Sequence, residues 1–382
     1  MGMVQDIKLM GETEHPNKYE EIISGLKNNE FKNIIFITGA GISTAAGIPD
    51  FRSKGGLFEQ TRIKYGLSRP EQFFEINYFY NHPEAFYDFC KGFDISECRP
   101  TKTHLFMGFL TNIKKIVKRI YTQNVDGLEL LAGVPRAKVT FAHGTITEAG
   151  CPNCLKEYDV EDVRKYVNEG KILKCSKCNK PIKPKVVFYG ENLPDKFFED
   201  INDINVTDLA FIMGSSLAVY PFNQLPYGIK KESWRVLINK DEVGNFLAGL
   251  VTMNQFRFNN PKRKDLFLNG YTDEIVQKIV DDCGWKDEFE NYCKIWLDKF
   301  EENLKKEKEK KEKKNKIKEG DSKDKLEDNK GNFKIKKQDN ENENDGDYKD
   351  ISFDNIVIPI VKSKQKNNDN NEIKADEINN YI

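Results

Sequence analysis

The chain has 382 residues, room for two or three domains of ordinary size. Lys and Arg total 60 against 61 Asp and Glu, a formal net charge of −1 that argues against a globally basic nucleic-acid binder. Charged residues make up 32% and hydrophobic ones 38%, a balance that suits a folded part with a polar appendage. No run approaches the ~20 apolar residues of a membrane span, so no membrane partner is expected. The start carries neither an apolar signal core nor an Arg-rich presequence, and Asp6 stands where a myristoylation motif after Met1-Gly2 wants Ser or Thr. Eight cysteines without a secretion signal point to metal or thiol chemistry rather than a disulfide framework.

In chain order, residues 1–29 read as an N-terminal extension. Asn33-Ile34-Ile35-Phe36-Ile37-Thr38 is an apolar run entering Gly39-Ala40-Gly41, the pattern of a buried parallel strand ending in a tight turn. The stretch 66–92 is rich in Phe and Tyr, is broken at Pro70 and Pro83, and predicts a small helical module with an aromatic core. Four further runs behave as strands. Ile120-Tyr121-Thr122 ends at Gln123-Asn124-Val125-Asp126, and Val139-Thr140-Phe141-Ala142 at His143-Gly144. Leu209-Ala210-Phe211-Ile212-Met213 ends at Gly214-Ser215-Ser216, and Arg235-Val236-Leu237-Ile238 at Asn239-Lys240-Asp241. Open parallel sheets bind ligands beyond the carboxyl ends of their strands, so these polar strand ends predict one shared site. A helix over 273–282 puts Ile275, Val276, Ile279 and Val280 on one face and stops at Gly284. From 303 to 382 the composition is that of a disordered tail: residues 305–318 hold nine Lys and three Glu, and residues 339–350 six acids and one Lys. The Lys-rich run reads as a solvated helical extension, and the run Ile356-Val357-Ile358-Pro359-Ile360-Val361 as an isolated apolar patch.

Two motifs carry chemistry. Cys151-Pro152-Asn153-Cys154 and Cys175-Ser176-Lys177-Cys178 are two C-x-x-C knuckles, which together supply four soft ligands at the corners of a tetrahedron. One structural Zn²⁺ with no open position is the expected occupant; an iron site or two redox dithiols are the alternatives. Cys90, Cys98, Cys283 and Cys293 lack ligand spacing and read as ordinary thiols. The second motif, Gly39-Ala40-Gly41-Ile42-Ser43-Thr44, could bring backbone N–H groups against a pyrophosphate. Thr44 replaces the third glycine of G-x-G-x-x-G, and no acid follows on a second strand, so hydride chemistry is not indicated.

Taken with Gly47-Ile48-Pro49-Asp50-Phe51-Arg52, Val187-Phe188-Tyr189-Gly190-Glu191, Gly214-Ser215-Ser216-Leu217 and Ile238-Asn239-Lys240, these motifs resemble the sirtuins, NAD-dependent protein lysine deacylases, in the family's order across about 30–285. The closest likeness is to the family's cytosolic and nuclear class, which implies a cytoplasmic or nuclear protein. The resemblance implies an α/β fold: a Rossmann-like doubly wound parallel sheet with a small zinc-binding module and a helical module, and a disordered C-terminal tail outside it. The catalytic domain would span 30–302, with the Rossmann-like part at 30–54, 100–143 and 187–285, the helical module at about 55–99 and the zinc module at about 144–186. It also implies NAD as co-substrate, acylated lysine side chains of histone or non-histone proteins as partners, no nucleic acid, and a monomer.

Site roles follow by the same resemblance. Ala40, Gly41, Ser43 and Thr44 would hold the phosphates and nearby ribose. Asp50 would bind the nicotinamide carboxamide, Phe51 would shield the reacting carbon, and Arg52 would order the loop. Gln123, Asn124 and Asp126 would line the nicotinamide and ribose pocket. Gly214, Ser215, Ser216, Asn239, Lys240 and Asp241 would contact the adenosine half, with Tyr271 near the adenine. Val187, Phe188, Gly190 and Glu191 would line the acyl-lysine channel and pair with the peptide as an added strand. Asn124 and His143 would be catalytic, His143 as the base that removes a ribose proton; an ordinary pKa of about 6.5 suits that task. The products would be nicotinamide, free lysine and O-acyl-ADP-ribose. The loop from 47 to about 57 would exclude water, with Gly55-Gly56 as hinges. Gly127, where relatives often carry a larger residue, implies a roomier pocket floor. The lack of a Tyr-x-x-Arg pair between 70 and 100 implies acetyl and longer apolar acyl groups rather than succinyl. Protein ADP-ribosylation on the same site and a non-catalytic NAD- or acyl-lysine-binding scaffold are the rival functions.

Overall fold

A computed structural model describes residues 17–48, 57–92, 97–244 and 254–327. The apolar runs become β1 (Ile34–Thr38), β2 (Val117–Thr122), β3 (Val139–Phe141), β7 (Leu209–Met213) and β8 (Trp234–Asn239), joined by an edge strand β9 (Asp265–Asn269). They hydrogen-bond in the order β3-β2-β1-β7-β8-β9, every pair parallel. β1 and β7 are buried at every residue, which is why they read as unbroken apolar runs. From β1 the chain moves outward to β2 and β3, then returns to β7 on the other side of β1. That reversal opens a crevice beyond the carboxyl ends of β1 and β7.

Helices cover both faces. On one, Phe36 stacks on Phe211 at 5.4 Å and meets Phe106 edge-on, within α5 (Lys102–Asn112). On the other, Ile35 and Ile37 pack with Phe197 of α8 (Asp195–Asp200) and Leu225 of α9 (Leu225–Gly228). Each buried Phe contributes about 2–3 kcal/mol to such a core. α10 (Thr272–Asp282) buries Ile275, Val276, Ile279 and Val280 and ends at Gly284 with φ +70°, as its pattern predicts. α1 (Asn17–Lys27) makes the latter part of the expected extension a docked helix: the buried Lys18 ammonium donates to the carbonyls of Phe258, Asn260 and Asp265. α11 (Lys286–Glu327) lays Phe289, Tyr292, Trp296 and Phe300 against the body at helical spacing. A Cβ on Gly108 would lie 2.4 Å from the Tyr292 hydroxyl, so glycine there lets α11 sit on α5. The helix does not end near 302 but carries the Lys-rich run onward to Glu327. The patch at 356–361 lies outside the described residues.

The smaller part combines α2 (Leu57–Tyr65), a 3-10 turn at Pro70–Phe74, α3 (Ile76–Asn81) and α4 (Pro83–Gly92) with an antiparallel sheet β5-β4-β6 and α7 (Val160–Asn168). β4 is Gly144–Gly150, β5 Glu157–Tyr158 and β6 Lys183–Val186. The expected break at Pro83 falls between α3 and α4: α3 ends at Asn81 and Pro83 opens α4, the position where a missing N–H is harmless. Phe73, Phe79, Phe86 and Phe188 share one core with Val163, Val167, Ile182, Cys151 and Cys175, so the helical and cysteine-bearing segments are packed as one body.

Candidate active site

Six strand ends meet the crevice, and glycine sets how closely they approach. A Cβ on Gly41 would lie 2.6 Å from the Gly214 Cα, and one on Gly39 2.9 Å from the Gly214 carbonyl oxygen. Gly41 N–H donates to that oxygen at 2.8 Å. Ala40, Gly41 and Thr44 stay exposed on the short turns that follow β1, while Ser43 is buried beneath them. A thin backbone wall of this kind lets an anionic group come close to main-chain N–H groups, so it fits the pyrophosphate of a dinucleotide.

Beneath the turn runs a buried hydrogen-bond chain. Asn124 Nδ2 donates to the Gly39 carbonyl at 3.2 Å and to Ser43 Oγ at 3.0 Å. Ser43 Oγ donates to Asp126 Oδ2 at 2.8 Å, and the Leu128 N–H at the start of α6 (Leu128–Leu131) donates to Asp126 Oδ1 at 3.0 Å. Ser43 and Asp126 are 83 residues apart in sequence. Gln123 accepts from Ser215 Oγ at 2.8 Å, which ties the β2 end to the β7 end. Gly127 is left-handed at φ +74°, and a Cβ there would meet Thr147 at 2.9 Å. A larger side chain at 127 would therefore have to displace the Thr147 methyl.

His143 is half-buried at the end of β3, its ring 6.1 Å from that of Phe222. Its carbonyl accepts from the Val187 N–H at 2.9 Å. Gly144 follows because a Cβ there would sit 1.7 Å from the Lys185 carbonyl oxygen. The segment after β6 splits in two. Val187 and Gly190 lie at the surface side, but Phe188 is 2% exposed and packed among Phe74, Phe79 and Phe86. Glu191 folds back to accept from the Phe188 N–H at 2.7 Å and to pair with the buried Lys183 at 3.0 Å. Those two side chains thus brace the segment from behind. Tyr189 is 55% exposed and shares a cleft of about 430 Å³ with Gly190, Arg69, Glu71, Glu75 and Asn77.

Toward β8 and β9, Asn239 Nδ2 donates to the Asp241 carbonyl at 3.0 Å, and Lys240 lies over the Tyr271 ring at 4.2 Å. Ser216, Lys240, Asp241 and Tyr271 are exposed. Asp50, Phe51, Arg52 and the Gly55-Gly56 pair lie outside the described residues.

The four knuckle cysteines bring their sulfur atoms within 4.8 Å of one another, with Cys151 and Cys178 at 3.4 Å and Cys154 and Cys175 at 3.5 Å. A tetrahedral zinc with bonds of about 2.3 Å sets its sulfurs about 3.8 Å apart, so the four thiols fit one such ion with every corner filled. Leu155 and Asn179, the residues after each knuckle, both have φ +59°, and each knuckle's first Cys accepts from that residue's N–H. The repeat of one turn geometry aims both thiol pairs at one point.

The sequence profile of the Sir2 family matches residues 39–221. The NAD-dependent protein deacetylase hst2 of Schizosaccharomyces pombe is 37% identical over 273 residues, which cover 71% of this chain and 78% of that protein. Sirtuin-3 of Mus musculus is 36% identical over 278 residues, 73% of this chain and 80% of its own length. Sirtuin-2 of Danio rerio is 36% identical over 302 residues, covering 77% and 78%. The chain belongs to the Sir2 family. In this sirtuin, motif reading passed over two buried polar residues behind the pocket, His104 of α5 and Glu129 of α6. The signal was present: His104 opens onto the apolar stretch 105–110, and Glu129 is the lone polar residue of Leu128–Leu131.

Proposed function

We propose that the crevice binds NAD and that the chain is an NAD-dependent protein deacetylase, the activity named in the relatives. The observation that carries the reading is the meeting of Ser43, Asn124, Asp126 and His143 at the carboxyl ends of β1, β2 and β3. NAD would supply an electrophilic sugar carbon, activated by departure of neutral nicotinamide. Ala40, Gly41 and Thr44 would hold its phosphates, and Ser215, Ser216, Asn239, Lys240, Asp241 and Tyr271 its adenosine half. Gln123, Asn124 and Asp126 would line the ribose and nicotinamide side, completed by Asp50, Phe51 and Arg52. The Asn124 amide nitrogen is committed to Gly39 and Ser43, so its carbonyl oxygen is the part left for a ribose hydroxyl. His143 would take the ribose proton as general base.

Acylated lysines of proteins would enter along Val187 and Gly190, with Phe188 and Glu191 supporting that segment. Acetyl and longer apolar chains are the expected acyl groups. The zinc is structural, since four cysteines leave it no open position. The division at about 55–99 and 144–186, a monomeric state and a cytoplasmic or nuclear location belong to the same reading. Sedimentation and imaging of a tagged chain test the last two.

The decisive assay gives the protein NAD and an acetyl-lysine peptide, then follows nicotinamide release and peptide mass for wild type and His143→Ala. Peptide-dependent release with loss of the acetyl mass, abolished in the variant, supports the reading. A gain in target mass would indicate ADP-ribosylation instead, and binding of the peptide without release a scaffold.

A further inference from the structure

Behind the dinucleotide loop, two titratable side chains with no part in the reaction lie beside a pocket residue. His104 of α5, Asp126 of the β2–α6 loop and Glu129 of α6 bring their polar atoms within 4.8 Å of one another, and His104 and Glu129 are fully buried. Among the described residues, neither Glu129 carboxyl oxygen nor His104 Nε2 has a hydrogen-bond partner. An ionised carboxylate in that setting would be heavily penalised, so the cluster must hold either a cation or a proton.

The geometry favours the proton. The Thr101 N–H and hydroxyl both lie against His104 Nδ1, at 3.2 and 2.7 Å, so that ring nitrogen is spent on the helix cap and is not offered to a metal. Burial pushes His104 down to about 3, so the ring is neutral. Burial first, then the Asp126 charge, pushes the Glu129 carboxyl up to about 8, against weaker pulls from its own backbone N–H and the Thr122 hydroxyl, neither of which reaches it in full hydrogen-bond geometry. Burial raises Asp126 as well, but the Leu128 N–H and the Ser43 hydroxyl favour its ionised form. Two carboxyls this close share one negative charge, and it settles where the donors are. The third element against α6 is α11, whose Tyr292 hydroxyl is spent on the Ala132 carbonyl at 2.7 Å.

We propose that Glu129 is a positioning residue of the dinucleotide pocket: kept neutral beside His104, it leaves Asp126 as the single charge that orients the Ser43 hydroxyl, and through it the Asn124 amide. The chain of bonds from Asp126 through Ser43 to Asn124 is direct, with links of 2.8 and 3.0 Å. Thr101 ties the same cluster to the glycine loop, since its hydroxyl donates to the Ile42 carbonyl at 2.9 Å. Ionisation of Glu129 would set a second carboxylate against Asp126 and pull the donors of the chain out of line. The inference rests on Ser43, Asn124 and Asp126 being NAD-pocket residues.

The test measures the NAD dissociation constant by calorimetry from about pH 6 to 9, with kcat and KM beside it, for wild type and Glu129→Gln. Glutamine keeps the shape and cannot ionise. Wild type should hold NAD evenly at neutral pH and lose affinity approaching tenfold per pH unit above about 8. The Gln variant should bind with a flat profile and turn over within about twofold of wild type at pH 7. An alkaline loss of the same size in both proteins overturns the inference, as does weaker binding by the variant at pH 7. Should the variant fold poorly, difference infrared on wild type decides: a protonated-carboxyl band that fades near pH 8 supports the proposal, and its absence at pH 7 defeats it. NAD binding without nicotinamide release would count against the deacetylase reading alone, whereas identical pH profiles would count against Glu129 alone.

Discussion

Replacing Asp265 with Ala should remove about 3–5 kcal/mol of stability, because it strands a buried guanidinium. Arg235 is 1% exposed at the heart of β8, and all five of its N–H donors are used. Two go to Asp265, at 2.7 and 2.8 Å, and the other three to the carbonyls of Pro226, Asn254 and Gln255 at 3.0, 2.8 and 3.2 Å. The Ala variant leaves two of those donors and the Arg257 N–H without their acceptor, each a loss of about 1–3 kcal/mol, around a charge that no longer has its counter-ion. Part of that sum is recovered as the site relaxes and water enters, which brings the total into the stated range. Urea unfolding monitored by tryptophan fluorescence should show the loss, with a Tm lower by roughly 10 °C. In the double variant Arg235→Met/Asp265→Leu both charges are gone, so its loss should fall short of the summed single-variant losses by about 2–3 kcal/mol. A single-variant loss below about 1 kcal/mol, or additivity within about 0.5 kcal/mol, would refute the argument that the pair is held by mutual charge compensation.

Cys178→Ser should lose the bound zinc and, because Cys151 and Cys175 belong to the aromatic core, should lower the melting temperature of the whole smaller part; full zinc content by elemental analysis would sink this. Ser43→Ala removes both the donor to Asp126 and the acceptor for Asn124, two bonds at about 1 kcal/mol each, and should raise KM for NAD about 10–30-fold. A KM within about twofold of wild type would show that Asn124 is held by other means. Glu129 carries a folded-state pKa near 8, above its unfolded value, so its contribution is full below the unfolded pKa of about 4.5 and is lost as pH rises toward 8. Wild-type stability should therefore fall between about pH 5 and 8 relative to Glu129→Gln, and parallel unfolding curves for the two proteins across that range would contradict it.

Much of this fold was legible in one dimension. A strand buried on both faces is largely apolar, so β1 and β7 announced themselves as unbroken apolar runs and β2, β3 and β8 as shorter ones, each ending in polar or small residues where the crevice opens. β9 escaped notice because an edge strand of five residues, Asp265–Asn269, carries too little burial to mark its sequence. The paired cysteine knuckles were readable because a tetrahedral ion imposes a spacing on the chain itself. What folding alone decided are relations between residues far apart in sequence. Phe188 was assigned to a channel wall by its resemblance to the family motif, yet three aromatic rings from other segments and the Lys183 ammonium hold it in the core. Glu191 turns inward because Lys183, eight residues earlier, is buried and needs a counter-charge. The Thr147 methyl from β4 stands where a side chain at 127 would go. His104 and Glu129 look unremarkable in their helices until the packing of α5 against α6 sets one beside the other and both beside Asp126. Local sequence determines what each segment buries and where it turns; the charge state of a buried group depends on which distant side chains the fold brings within a few ångströms of it, and no local pattern records that.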